Sequence, residues 1–305
     1  MADKYQYGGQ AVIEGVMMRG RHHYAIAVRK GNNQTCVISE KLGSYTRKHP
    51  ILRLPFIRGI VALGESLVLG LNSLQYSANQ VMDTEGEEEL TFWEMTLMIL
   101  FAVGLTIVLF VALPLFLRGL IARVLPGIFW RNIFEGLTRA VILVAYVAII
   151  SQLSDIQRVF AYHGAEHKVI HTYEAGDELT IENAKTKTTL HPRCGTSFLL
   201  YVVIVSAIIF SFLGEQTLVM RFVSRIVLLP LIAGISYEII KISGKHQAFI
   251  LWKILSWPGL MMQRLTTREP DEEQLEVAIL ALREVLTLED NNNNVLPINK
   301  QEAPV

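Results

Sequence analysis

His163-Gly164-Ala165-Glu166-His167 sets two imidazoles and a carboxylate within five residues. On a helix, residues four apart share a face, so His163 and His167 can ligate one metal ion. Glu166 lies beside them, where it could polarise a water molecule. The order His-x-x-Glu-His is that of the inverzincin peptidases. His171 continues the stripe one turn further, Glu174 follows a turn later, and Gly176 is a plausible helix end. A second constellation is His191-Pro192-Arg193-Cys194-Gly195, in which His191 and Cys194 are three apart and both are good zinc ligands. Two histidines plus a Cys, His or Glu would leave the open fourth position of a catalytic zinc site, whereas four protein ligands would make a structural one. Cys194 could instead be a nucleophile beside His191, or a buried inert thiol.

These half-sites are positioned by long apolar segments. Four stretches read as membrane spans: Met95 to Leu117, Gly136 to Leu153, Ser197 to Leu213 and Ile226 to Ile240. The first is long and uncharged, enough to cross a hydrocarbon core of ~30 Å as a helix. The second carries Arg139 near its start. The fourth carries Pro230, Gly234 and Glu238, and an intramembrane carboxylate should face protein or water. The second span ends and the third begins on the same face, so the 154–196 segment is held at one surface. Glu238 could reach the same region. Basic residues near the span ends place both termini and the 154–196 segment in the cytoplasm. The 118–132 link, with Arg118, Arg123 and Arg131, would face outward against that rule.

Elsewhere the chain divides as follows. Residues 1–53 form a small β-containing cytoplasmic unit, in which His22 to Arg29 and Thr35 to Leu42 are strands joined by the hairpin signal Lys30-Gly31-Asn32-Asn33. The glycines of Gly8 to Arg19 read as turn residues flanking a strand, and Glu14 and Arg19 could contact the membrane-proximal site. Residues 54–94 comprise an interfacial or bundle-packed helix, Leu54 to Leu74, whose Arg58 and Glu65 make it a poor span, and an acidic linker, Asp83 to Glu89. Residues 95–246 are the membrane bundle. Residues 247–288 hold an apolar segment with Trp252 and Trp257, then an amphipathic helix opened by Pro270 and three acidic residues. Residues 289–305 are expected to be a disordered tail. The fold class is therefore mainly α: a polytopic helical membrane protein of about four spans, with an N-terminal β-containing unit and a C-terminal amphipathic helix.

Composition agrees. Of 305 residues, 51% are hydrophobic and 18% charged, against about 25% charged in soluble domains. The 28 basic and 28 acidic side chains cancel, so nothing points to nucleic acid. The bilayer and other membrane proteins are the expected partners. Cys36 and Cys194 lack a C-x-x-C spacing and read as free thiols in a reducing compartment. The polar stretch Met1 to Gln10 lacks the pattern of a cleaved signal peptide.

Gly8-Gly-Gln-Ala-Val-Ile-Glu-Gly-Val-Met-Met-Arg19, Pro55-Phe-Ile-Arg-Gly59, Tyr162-His-Gly-Ala-Glu-His-Lys168, His191-Pro-Arg-Cys-Gly-Thr196 and Thr267-Arg-Glu-Pro-Asp271 together resemble the YqhQ-like family of bacterial membrane proteins. The resemblance runs from about residue 8 to 285. It implies a domain of unknown function, sometimes labelled a predicted metal-dependent enzyme, and so favours a divalent metal, zinc by ligand type, at His163, His167, His191 and Cys194. Two function classes follow. One is a metal-dependent hydrolase at the cytoplasmic face with Glu166 as catalytic base. The other is a non-enzymatic partner protein, in assembly, secretion or protein biogenesis, whose His/Cys cluster is a structural clasp. A transporter using Glu238 is less attractive without an inverted repeat.

Overall fold

The computed structural model describes residues 7–31, 34–43, 52, 54, 57–85, 91–125, 127–245 and 249–294. The Asn32-Asn33 part of the hairpin signal, most of the acidic linker, Pro55-Phe56 and the tail beyond Asn294 lie outside the described residues. Near the N-terminus, β1 (Gly8–Val12), β2 (Gly15–Arg19), β3 (His23–Arg29) and β4 (Thr35–Lys41) form an antiparallel meander in sequence order. The Gly8–Arg19 motif is thus a hairpin rather than one strand. Its turn puts Glu14 at φ 49°, a cost offset where Arg29 N–H donates to the Glu14 carbonyl (2.8 Å) and Arg158 Nε donates to its carboxylate (2.6 Å).

Strand alternation gives the sheet two buried faces. Val12, Met17, Ile26 and Val28 pack with Leu69, Leu74, Tyr76 and Val81 of α1 (Ile57–Glu85). Val16, Met18, Ala25 and Ala27 face the opposite way, onto α5 (Ser154–Ala175) and α10 (Glu272–Asn294). The core on that side joins Tyr162, Ala165 and Val169 to Leu275, Ala278, Leu282 and Val285. Three segments far apart in sequence therefore build one head. The apolar repeat Leu275 to Leu286 seen in the sequence is the face that α10 buries there.

Below the head lie α2 (Phe92–Ile107), a π-helical turn (Val108–Ala112) leading into α3 (Leu113–Ile121), α4 (Ile128–Ile150), α7 (Gly195–Ser211), α8 (Leu218–Lys245) and α9 (Ile250–Thr266). Short α6 (Ile181–Lys185) belongs to the head. Among the described residues, four helices are long and apolar enough to cross a membrane: Ile57–Met82, Thr96–Ile121, Ile128–Ile150 and Val219–Ser243, with Gly195–Ser211 apolar but shorter. This set differs from the sequence expectation at two places. Helix α1 runs on well past Leu74, and its charges do not interrupt it: Arg58 donates to both oxygens of Glu238 on α8 (2.8 and 2.7 Å), and Glu65 lies 3.8 Å from Arg19. Helix α7 is only 17 residues, about 25 Å long.

One crossing fixes the head on the bundle. After α9 the backbone of Thr267-Arg268-Glu269 lies across α5, and Arg268 N–H donates to the Phe160 carbonyl (2.9 Å). A Cβ on Gly164 would sit 2.0 Å from the Arg268 carbonyl oxygen. Only glycine admits so close an approach at this helix position. Gly164→Ala is expected to lower stability by about 1–3 kcal/mol, as overpacked cores do. Gly104→Ala, with nothing within 4 Å of the new methyl, is expected to be neutral or mildly stabilising. Denaturant or thermal unfolding of the two variants, with equal effects refuting the crossing as the cause, checks the difference.

Candidate metal centre

Helix α5 ends at Gly176 in a left-handed conformation (φ 80°), the αL cap its position implied. Along its buried face run His163, His167 and His171, one turn apart. His163 and His167 ring centroids are 4.4 Å apart. Facing them is the loop before α7, where Cys194 is the N-cap and its sulfur accepts from Thr196 N–H (3.4 Å).

The structure brings His163, His167 and Cys194 together, with one ligand atom from each inside a mutual 4.8 Å. His163 Nε2 lies 3.1 Å from Cys194 Sγ. Ligand atoms on a tetrahedral zinc ion lie about 3.5 Å apart, given ordinary Zn–N and Zn–S lengths, so the trio needs only side-chain adjustment. The outer partners also fit. His163 Nδ1–H donates to the Thr266 carbonyl (2.8 Å) and His167 Nδ1–H to the Thr189 carbonyl, so an ion would meet both Nε2 atoms, displacing the proton that His163 Nε2 shares with Cys194 in the metal-free pair.

His191 is placed differently from the sequence expectation of one shared set of four. It groups with His171 and Glu174. Its Nδ1 accepts from Arg193 N–H (3.3 Å) and its Nε2–H donates to Glu174 (3.4 Å). Both nitrogens are thereby engaged. Helical spacing could not reveal this, because Arg193 turns the loop so that Cys194 and His191 meet different turns of α5. Glu238, the other candidate, is held by Arg58 and is not among the residues that converge here.

Glu166 is buried, 5% exposed. It lies under β1: a Cβ on Gly9 would meet its Cγ at 2.9 Å, and Gly9 N–H bonds to its carboxylate. Burial pushes its pKa up, against the pull of His167 and His163. The bare backbone of Gly9 separates it from a cavity of about 210 Å³ between β1, β2 and α1, lined by Gly8, Gln10, Met17, Arg19, Ser66 and Leu69.

Electrostatics divide the row. Burial disfavours a charged His163, but the adjacent Cys194 sulfur outweighs it and holds the imidazole up at about 9. Cys194 is correspondingly depressed well below its usual value, burial being overcome by His163 and His167. Farther along, burial and neighbouring cations push His191 down to about 4, and burial lowers His171. Glu174 stays below the usual carboxylate value because His191 and Arg193 outweigh its burial.

Residues 54–288 match the family described as protein of unknown function, DUF1385. The chain belongs to this family. It is also 35% identical over 295 residues to "Uncharacterized protein YqhQ" of Bacillus subtilis (strain 168), an alignment covering 93% of each chain. No solved structure matches. The family match takes in α5, Cys194 and the Thr267–Asp271 crossing, while Gly9 lies before it.

Several residues that shape the site escaped sequence reading. Thr266 and Thr189 supply only backbone carbonyls, which carry no sequence signal. Gln263 ties the Cys194 loop down through the His191 backbone (2.7 and 2.8 Å) and Ser197 Oγ (2.9 Å). Gly9 belonged to a noted motif, but nothing local linked it to Glu166.

The thiolate–imidazolium pair is testable in metal-free protein. A lowered thiol pKa means the thiolate persists at neutral pH and is lost only on acidification, so absorbance near 240 nm should be present at pH 7. His163→Ala should move that absorbance to higher pH, and Cys194→Ser should abolish it. A Cys194 signal appearing only above pH 8 in the parent would refute the pairing.

Proposed function

We propose that this chain is an integral membrane protein whose cytoplasmic head carries a zinc-dependent hydrolase centre, with His163, His167 and Cys194 as ligands and Glu166 as catalytic base. The observation that carries the proposal is the convergence of two tautomer-fixed imidazoles and a depressed-pKa thiolate beside a buried carboxylate. A zinc ion in a site of this donor type acts as a Lewis acid and retains an open position. Burial keeps the Glu166 proton affinity raised, suiting it to accept and return the proton of an attacking water near neutral pH. His191 takes a positioning role, holding Glu174 and Arg193 behind the ligands.

The membrane reading rests on apolar surface and on chain parity. Phe101, Val103, Val141, Ile149, Phe222 and Val227 are all at least half exposed, a surface suited to lipid. The sheet, α5 and α10 share one core, so the chain must cross an even number of times between β4 and α5, and again between α6 and α10. The pairs α2–α3 with α4, and α7 with α8, meet that condition. Helix α1 then stays on the head side, consistent with its contacts to the sheet.

Two measurements test this. Metal analysis of the purified full-length protein is expected to give about one zinc per chain. His163→Ala, His167→Ala and Cys194→Ser should each lose it, and His191→Ala should keep it. Glu166→Gln should retain metal but lose hydrolysis of ester, amide and phosphoester probes by about 10²–10⁴-fold. No metal in the parent, or unchanged metal in His167→Ala, overturns the proposal, and full metal without turnover in any probe class favours the structural clasp. For topology, single cysteines at Thr180 and Arg283 should react with an impermeant reagent only after cells are permeabilised, and one at Gly214 without it. Labelling of Thr180 and Arg283 from opposite sides would break the parity argument.

A further inference from the structure

The end of the bundle remote from the His/Cys centre holds a second charged cluster. Glu135 of α4 is almost fully buried, 2% exposed, and three guanidinium groups converge on it: Arg118 of α3 at 3.4 Å, Arg139 one turn along α4 and Arg225 of α8. Arg131, Arg221 and Glu215 also act electrostatically here. Five arginines therefore face two carboxylates. A buried carboxylate can neutralise one of its guanidinium partners, and the excess positive charge is expensive in a low-dielectric bundle unless an anion balances it.

The donors show where such a group belongs. Arg225 Nε and Nη1 are buried with no hydrogen-bond partner among the described residues, and Arg118 Nε meets only Glu135, at 3.4 Å without hydrogen-bond geometry. Unpaired guanidinium N–H groups at this depth are rare because they lose water without replacement. Arg225 lines a narrow cleft with Asn132, Gln216, Arg221 and Ser224. Its free interior is about 10 Å³, room for roughly one oxygen-sized group. The rest of the cluster is rigid. Phe210 is flanked by the guanidinium groups of Arg225 (5.5 Å) and Arg139 (5.8 Å). Arg139 Nε also donates to the Phe110 carbonyl (3.0 Å), whose residue four positions on, Pro114, has no N–H to offer.

We propose that this cluster is an anion site for a phosphate group, which inserts one oxygen between Arg225 and Arg221 and balances the arginines around Glu135. Arginine forks match phosphate oxygens geometrically as well as electrically. The phosphate comes from a lipid headgroup or from free inorganic phosphate. The site stands apart from the metal centre, because α7 runs from Cys194 at one end to Phe210 and Leu213 at the other, where Asn132 Nδ2 donates to both carbonyls (2.9 and 3.0 Å).

The test uses full-length protein in neutral detergent and reads the melting temperature. Inorganic phosphate, short-chain phosphatidylglycerol and chloride at matched ionic strength are added separately. A saturating ligand should raise the melting temperature by about 2–6 °C, as binding to the native state alone requires. A rise with both phosphate and phosphatidylglycerol identifies a site open to the free ion, and a rise with phosphatidylglycerol alone identifies a lipid headgroup. Arg221→Gln removes a cleft arginine that donates only weakly to the Gln216 carbonyl (3.4 Å), so the fold and the Glu135 pairs should survive while the shift is lost. Arg225→Lys should reduce the shift as well. No rise beyond the chloride control in the parent protein, or a full rise in Arg221→Gln, overturns the proposal.

Discussion

The backbone contact at Gly164 is the constraint on which the head depends. Arg268 can reach the Phe160 carbonyl only because position 164 lacks a side chain. That reach sets Thr266 where its carbonyl receives the His163 Nδ1 proton. Three residues earlier, Gln263 holds the backbone of His191. One helix end therefore fixes both the helix-borne histidine and the loop that brings Cys194. A hydrogen bond of this kind contributes only about 1 kcal/mol net, yet leaving a buried donor unpaired costs more. The arrangement is thus maintained less by attraction than by the penalty for breaking it.

The histidine row shows how one sequence pattern yields two environments. His163, His167 and His171 recur at helical spacing and are chemically identical side chains. His163 faces a sulfur and is held charged. His171 has no sulfur opposite it, only the Leu190 carbonyl at 2.9 Å, and burial outweighs that bond and lowers its pKa. What separates them is the loop from Thr189 to Cys194, which presents a different group to each turn of α5. The Glu174–Arg193 pair at the neutral end gives that loop its second anchor.

Much of this was legible in the sequence, and the reasons for the rest are physical. Period and charge pointed to apolar spans at 95–117 and 136–153, where the helices run 96–121 and 128–150, and to the α10 face and the α5 stripe, because each pattern lies within one element. Gly176 was readable as a cap because its requirement is local. The partition of His191 from His163 was not readable, since it depends on the path of a loop between elements. Gly9 and Gly164 were visible as residues, but their reasons, a carboxylate beneath one and a crossing backbone above the other, lie 157 and 104 positions away. Arg58 and Glu65 argue against a span when only the sequence is in view, because their partners sit on other elements, α8 and β2.

The shared core of sheet, α5 and α10 also bears on biosynthesis. Val16 and Met18 are made some 265 residues before Leu282 and Val285, which cover them. At elongation rates of about 5–20 residues per second, the apolar sheet face waits roughly 13–50 s for its lid. The meander therefore spends that interval as an open apolar surface. The last helix of the chain is what ends that exposure.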